Sequence, residues 1–279
     1  MARPVALGAA LAVAAWGLAG CGGGNDGDPA VTTLSASGAR FSRTAVLTIN
    51  GRNLLAGITV QMEGGCENLT LVTAGSDDAQ QYTCDVLAVG EHLAHVTTTE
   101  GRFLGRLAFQ VPQPEVSLTV PQGTITLQLD AVKAPVTARN FLNYIASGFY
   151  RNTLVHRAIP ARGLVAGGYN TGLVVKAPTQ PAIALESNNG LKNVRGTLGM
   201  VRGEAFDSAT TQWYINTADN ADLDYVDAAQ PGYAVFGTVL SGLEVADAIT
   251  AVATKTEAAK DLTDVPVTEI RITAASQTR

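Results

Sequence analysis

Charge is the scarcest thing in this chain of 279 residues. Only 15% of positions are Asp, Glu, Lys or Arg, well below the ~25% usual for soluble proteins. Nineteen basic residues face 24 acidic ones, for a formal charge of −5. A nucleic-acid partner is thereby excluded, because displacing phosphate counterions needs clustered Lys and Arg. Cysteine and histidine are rare too, at three each, and no other Cys or His lies at metal-ligand spacing beside Cys66 and Cys84. Collagen-like and coiled-coil periods are absent. What is abundant is apolar: 46% hydrophobic residues, enough for a real core and too many for a disordered chain. The length suits one large domain or two modest ones.

The N-terminus carries an address. Arg3 precedes an apolar run from Val5 to Leu18, shorter than the ~20 residues a spanning helix needs, and small residues end it. Leu18-Ala19-Gly20-Cys21 resembles the lipobox of bacterial lipoproteins, which implies removal of a signal peptide over residues 1–20 and acylation of Cys21. Several acyl chains anchor stably where one does not. Gly22 follows Cys21 instead of the Asp that marks inner-membrane retention in some bacteria, so the expected location is the periplasmic side of the outer membrane. Residues 21–33, opening with Gly22-Gly23-Gly24-Asn25-Asp26-Gly27, are expected to be a flexible tether. An extracytoplasmic compartment lets disulfides persist. With Cys21 acylated, Cys66 and Cys84 have one possible intramolecular pairing, and a disulfide between them is expected.

Two bodies follow. Over residues 34–112 the runs Ala45–Gly51, Gly57–Met62, Leu69–Val72 and Leu107–Val111 alternate like strands. Asn50-Gly51, Gly64-Gly65 and Gly101 supply turns. A small β-sandwich is expected, loosely resembling immunoglobulin-like modules of bacterial surface proteins. His92 and His95 point to opposite faces of a strand, which makes them surface residues rather than ligands. Asn68-Leu69-Thr70 fits a glycosylation sequon by accident. The module carries no chemistry of its own.

Pro112-Gln113-Pro114 marks the boundary to the second body, residues 113–279. Val116–Val120 and Gly123–Asp130 alternate as a hairpin. A helix begins near Pro135, presents Phe141, Leu142 and Ile145 on one face, and ends near Gly148. Val245, Ala248 and Ile249 mark a second helix, and Val267–Ile272 a last strand.

Several motifs in this body stand in one register. Lys133–Phe141, then Gly148-Phe149-Tyr150 with Thr153-Leu154-Val155-His156-Arg157-Ala158-Ile159, then Gly167-Gly168, follow one another. Asn188-Asn189-Gly190-Leu191-Lys192-Asn193, Arg195–Met200, Ser208–Asn216 and Val235-Phe236-Gly237 come next. From about Val116 to the C-terminus the chain resembles the cyclophilins, bacterial members above all. The resemblance implies a closed eight-stranded β-barrel capped by two helices. It also implies peptidyl-prolyl cis-trans isomerase activity on proline-containing polypeptides, without metal or cofactor. Nothing in the sequence indicates oligomerisation, and a monomer is expected.

By motif position Arg157 is the catalytic arginine, whose forked, permanently charged guanidinium suits a preorganised donor. His156 is structural, since no proton is transferred. Tyr214 takes the place of a pocket-floor Phe, Gln212 and Leu223 match family positions, and Tyr233 stands where bacterial members often carry Tyr. Val201 replaces a small Ala beside Met200. Asp222 falls where an aromatic normally borders the pocket. The loop Pro160–Gly168 departs most from the family's Pro-Gly-Phe-Met-x-Gln-Gly-Gly. It is one residue longer, offers Leu164 in place of a pocket Phe, and places Ala166 where a substrate-holding Gln is usual. The leading expectation is an isomerase assisting the folding of envelope proteins. The alternative is a cyclophilin-like binding module with little turnover.

Overall fold

The computed structural model describes residues 27–72 and 75–279. The signal segment, Cys21 and the first residues of the expected tether lie outside them. Among the described residues the chain is mainly β with two α-helices, and it divides into two compact units between Pro112 and Gln113.

Among its described residues the first unit holds seven strands: β1 (Ala30–Ser37), β2 (Thr44–Arg52), β3 (Ile58–Glu63), β4 (Cys66–Leu71), β5 (Ala79–Val86), β6 (Gly90–Thr98) and β7 (Phe103–Val111). They form two antiparallel sheets, ordered β1-β2-β5-β4 and β3-β6-β7. Alternation decides which side chains are inside: Ala45, Leu47 and Ile49 on β2, and Ala94, Val96, Leu107 and Phe109 on the other sheet, are all buried. Cys66 and Cys84 form a disulfide between the neighbouring strands β4 and β5, with Cα atoms 5.5 Å apart. Closing a loop of 18 positions stabilises by about 3 kcal/mol in the chain-entropy picture.

Two expectations need correction here. The tether does not reach residue 33, because Ala30 already pairs with Arg52 and the β-prone Val31 to Leu34 continue that ladder. His92 is not a surface residue. It is fully buried, stacked on Phe109 at 5.2 Å, with Nε2 3.0 Å from the Ala88 carbonyl. Strand β6, for which no alternating pattern was expected, turns His92 inward in one row with Ala94 and Val96, while His95 lies on the opposite face beside Glu63.

The second unit contains β8 (Glu115–Val120), β9 (Gly123–Leu129), α1 (Pro135–Ala146), β10 (Leu154–Ile159), β11 (Gly163–Ala166), β12 (Tyr169–Asn170), β13 (Val174–Val175), β14 (Thr197–Met200) and β15 (Trp213–Asn216). After these come β16 (Val235–Ser241), α2 (Leu243–Thr250), β17 (Thr254–Glu257), β18 (Leu262–Pro266), β19 (Ile270–Arg271) and β20 (Ala274–Gln277). Nine strands make one curled sheet, ordered β19-β10-β11-β15-β14-β16-β9-β8-β20. The single last strand expected over Val267–Ile272 is instead split into β19, paired with β10, and β20, paired with β8 at the opposite edge. Ile272 and Thr273 join the two, donating backbone N–H bonds to Thr153 at 2.9 Å and to Thr119 at 2.8 Å.

Helix α1 starts at Pro135, where a missing N–H costs nothing. Its cap comes from far along the chain. The Glu186 carboxylate accepts from the N–H groups of Val136 (3.1 Å) and Thr137 (2.8 Å) and from the Thr137 hydroxyl (2.7 Å). A negative group thereby satisfies orphan donors at the positive end of the helix. The face presented by α1 seats Phe141 against Tyr150, Trp213 and Phe236, with ring centroids 5.3, 5.9 and 5.4 Å away. This aromatic centre fixes β15 and β16 from behind, and so positions what β15 shows on its other side.

Candidate active site

One transverse row of side chains organises the site. Across the ladders, Arg157 on β10 stands opposite Val165 on β11, Val165 opposite Tyr214 on β15, and Tyr214 opposite Gly199 on β14. The adjacent row, Ala158, Leu164, Ile215 and Leu198, is almost wholly buried in the core. Alternation therefore sends Trp213 inward and Tyr214 outward. Arg157 reaches this row through a bulge: the register slips between Val155 and Arg157, and the extra residue is His156. Such bulges re-aim side chains beside active sites.

The row opens into a cavity of about 330 Å³. It brings together all seven residues singled out in this region: Arg157, Leu164, Val201, Gln212, Tyr214, Leu223 and Tyr233. Leu164 borders it but is only 1% exposed, and its row faces the core. The side chain placed between Arg157 and Tyr214 is that of Val165, half-buried.

The floor is Tyr214, edge-on to Tyr233 at 6.2 Å. A Cβ on Gly199 would lie 2.0 Å from Tyr214 Cζ, so only glycine leaves room for the ring. The Tyr214 hydroxyl donates to Asn193 Oδ1 at 2.5 Å. Asn216 Nδ2 also donates to that oxygen (3.2 Å) and to Thr197 Oγ1 (2.8 Å), while Asn220 Nδ2 donates to Asn216 Oδ1 (2.6 Å). Asn193 donates its own N–H and Nδ2 to Asp224 at 2.7 and 3.1 Å. These amides are nearly inaccessible. Burial above all, with Tyr233 next, pushes the Tyr214 phenol above its usual range, so it remains a hydrogen-bond donor.

His156 is 2% exposed and lies 4.6 Å from the ring of Tyr169. Burial lowers its pKa to about 4; Arg157 adds to that, while the Leu154 carbonyl and Gln212 oppose it. The imidazole is therefore neutral at physiological pH, an uncharged neighbour for the arginine.

At the rim, Arg157 Nε donates to the Thr263 carbonyl (3.3 Å), and Nη2 to Thr263 Oγ1 (3.0 Å) and Asp264 Oδ2 (3.1 Å). Arg162 Nη2 meets Asp222 Oδ2 at 2.6 Å. That contact first, and the charge of Arg162 as well, hold the Asp222 carboxyl below its usual range. Where the resemblance places an aromatic wall, the chain has an ion pair.

The fold and this geometry meet the family's own sequence pattern. Residues 115–277 match the family described as cyclophilin type peptidyl-prolyl cis-trans isomerase/CLD. The chain belongs to the cyclophilin family. It is 49% identical over 140 residues to peptidyl-prolyl cis-trans isomerase A of Dickeya dadantii, covering 50% of this chain and 73% of that one. It is 43% identical over 141 residues to peptidyl-prolyl cis-trans isomerase B of Escherichia coli, covering 50% and 85%. It is 40% identical over 162 residues to the isomerase cyp18 of Streptomyces antibioticus, covering 57% and 96%. Among solved structures, a Cryptosporidium parvum cyclophilin crystallised in the presence of the dipeptide ala-pro matches with a TM-score of 0.50 at 22% identity. That match covers 59% of this chain and 99% of the other.

Sequence reasoning missed Ile159, Arg162, Val165, Tyr169, Asn216 and Leu262 among the lining residues. Val165 was within reach, since alternation from Arg157 across a bulge selects it. Leu262, Thr263 and Asp264 come from a hairpin more than 100 positions beyond Arg157, and no local pattern announces them.

Proposed function

We propose that the second unit is a closed eight-stranded cyclophilin barrel that accelerates cis-trans isomerisation of X–Pro bonds in extracytoplasmic polypeptides. The joining of both sheet edges by one segment, Ile270–Gln277, supports closure. The observation that carries the function is the row Arg157–Val165–Tyr214, which sets a fixed cationic donor beside an apolar cavity.

X–Pro rotation is slow because amide resonance imposes a barrier of ~18–20 kcal/mol. As the bond twists, the nitrogen lone pair localises and becomes an acceptor. A guanidinium N–H already aimed there stabilises the twisted state more than either planar isomer, which is what lowers a barrier. Val165, Tyr214, Leu223 and Tyr233 supply apolar surface for the pyrrolidine ring, and Gln212 a polar contact for the peptide backbone. The neutral His156 needs no part in proton transfer. The reading requires neither metal nor cofactor, and a monomer suffices.

The compartment and the first unit complete the proposal. Acylation of Cys21 would hold the protein on the periplasmic side of the outer membrane, with the seven-stranded module from Ala30 to Val111 acting as an immunoglobulin-like β-sandwich spacer or interaction platform. Replacing Cys21 with Ser should then abolish incorporation of labelled fatty acid.

The test of function is a protease-coupled assay on an X–Pro peptide with the wild-type chain and Arg157→Ala. Removing a preorganised donor should cost roughly 10²-fold in kcat/KM. If both proteins run alike at background, the isomerase reading is wrong. The competing reading, a module that binds without turnover, would then stand; the altered Arg162–Ala166 loop and the Arg162–Asp222 pair favour it.

A further inference from the structure

We propose that Thr263 and Asp264 of β18 are positioning residues for Arg157: they clamp its Nε/Nη2 edge and leave Nη1 as the donor to the twisting peptide. The proposal rests on the isomerase reading of the same cavity.

The clamp is built from three acceptors on two consecutive residues. The Thr263 carbonyl takes Nε–H, while Thr263 Oγ1 and Asp264 Oδ2 take Nη2–H. The two acceptors are themselves joined, because Thr263 Oγ1 donates to Asp264 Oδ2 at 2.8 Å. One guanidinium edge is thus fully engaged. Nη1 makes no hydrogen bond to any described residue, so its two N–H groups remain for a ligand.

The clamp is fixed to the fold at its C-terminal side. Val265 and Pro266, the next residues of β18, are buried, and Leu262 on the other side lines the cavity. Asp264 adopts a left-handed backbone with φ 57°, a conformation that Asp and Asn tolerate better than most residues. The carboxyl is held below its usual range, by the Thr263 hydroxyl first and by Arg157 as well, so it is charged when the enzyme works.

Strand β11 gives Arg157 no polar partner, because Val165, which stands opposite it, is apolar. Ala166, at the position where the family resemblance places a glutamine, is wholly buried and has no polar side-chain atom to give Arg157. A long arginine, 37% exposed here, has many rotamers to lose. Holding one edge spends that entropy before substrate arrives, and the gain is realised in the turnover step.

Three variants of the full chain test this by steady-state isomerisation kinetics, with thermal melting as the check on folding. Asp264→Asn keeps shape and backbone preference but removes the charge. Thr263→Ala removes the shared hydroxyl, and Thr263→Ser restores it. The clamp predicts that Asp264→Asn and Thr263→Ala each lower kcat roughly tenfold, with KM within about twofold and melting unchanged. Thr263→Ser should recover most of the loss. A merely structural hairpin would shift melting without that kcat–KM split. Unchanged kcat in both Asp264→Asn and Thr263→Ala, or a rise in kcat, overturns the clamp. Arg157→Ala in the same series separates the two claims: if it alone is inactive, the isomerase reading survives and the clamp falls. If it is as active as wild type, the reading beneath both is lost.

Discussion

The floor and the rim of this cavity are held by different physics. Under Tyr214 lies a chain of buried amides, Asn193, Asn216 and Asn220, whose polar atoms are matched to one another and to Asp224. In a low-dielectric setting each such bond is costly to leave unmade, so the floor has one geometry. At the rim, Arg157–Asp264 and Arg162–Asp222 are ion pairs whose side chains are between 34% and 60% exposed. Pairs of that kind contribute little to stability. Arg157 is further held by the Thr263 carbonyl and hydroxyl, whereas among the described residues the Arg162 and Asp222 side chains have only each other and are free to change partner when a peptide arrives. The cavity therefore combines a rigid surface for an apolar ring and a held arginine with one charged pair that responds to a substrate.

The strongest way to break that contrast is to disturb the floor. In Gly199→Ala the new methyl would sit 2.0 Å from Tyr214 Cζ and 2.2 Å from its oxygen. Neither the ring nor β14 can yield without losing the bond to Asn193. We expect a loss of about 1–3 kcal/mol in stability by denaturant titration and a fall in kcat/KM of up to roughly 10²-fold. Wild-type stability and activity together would show that the floor is pliable.

What could be foreseen follows the same division. The floor belongs to motifs contiguous in sequence: Asn193 sits in the run Asn188–Asn193, Gly199 in Arg195–Met200, and Tyr214 in Ser208–Asn216. Alternation and the Pro at the first helical position were equally local, which is why β8, β9 and the start of α1 at Pro135 were legible. The rim was not. Thr263 and Asp264 meet Arg157 only because β18 folds back beside β10. The N-terminus of α1 is capped by Glu186, some 50 positions away. Asp222 was visible as a departure from the family, but its partner Arg162 was not, since an ion pair between two loops leaves no periodic trace. The inward turn of His92 was missed because the strand carrying it mixes polar and small residues on both faces.

A pH-dependent effect, confined to acid conditions and absent at neutral pH, comes from the buried histidine beside the cavity. His156 titrates at about 4 in the fold, against about 6.5 when unfolded. Below pH 6.5 the unfolded chain therefore binds a proton that the folded chain refuses until about pH 4. Stability is unaffected above this window and falls as pH drops through it, by roughly 3 kcal/mol in all. His92, also lowered chiefly by burial, adds a loss of the same sign. The difference between wild type and His156→Gln isolates the first. That variant should show a flatter fall in melting temperature between pH 6.5 and 4. Parallel curves for the two proteins would mean that His156 is not buried as a neutral ring.

The least effect is expected at the rim, from Asp222→Asn. The Asp222 carboxylate is 60% exposed and its arginine partner 39%. Solvent screens most of their attraction, so folding stability should change by less than about 1 kcal/mol. Catalysis can respond more, because Arg162 lines the cavity and would lose the group that holds it at the edge. At low ionic strength a freed Arg162 should raise affinity for peptides with an acidic residue next to proline, by no more than about threefold. That gain should vanish near 1 M salt, where the screening length is only ~3 Å. A salt-independent change, or a loss of activity as large as that of Gly199→Ala, would mean that Asp222 belongs to the rigid floor and that the division between floor and rim is drawn in the wrong place.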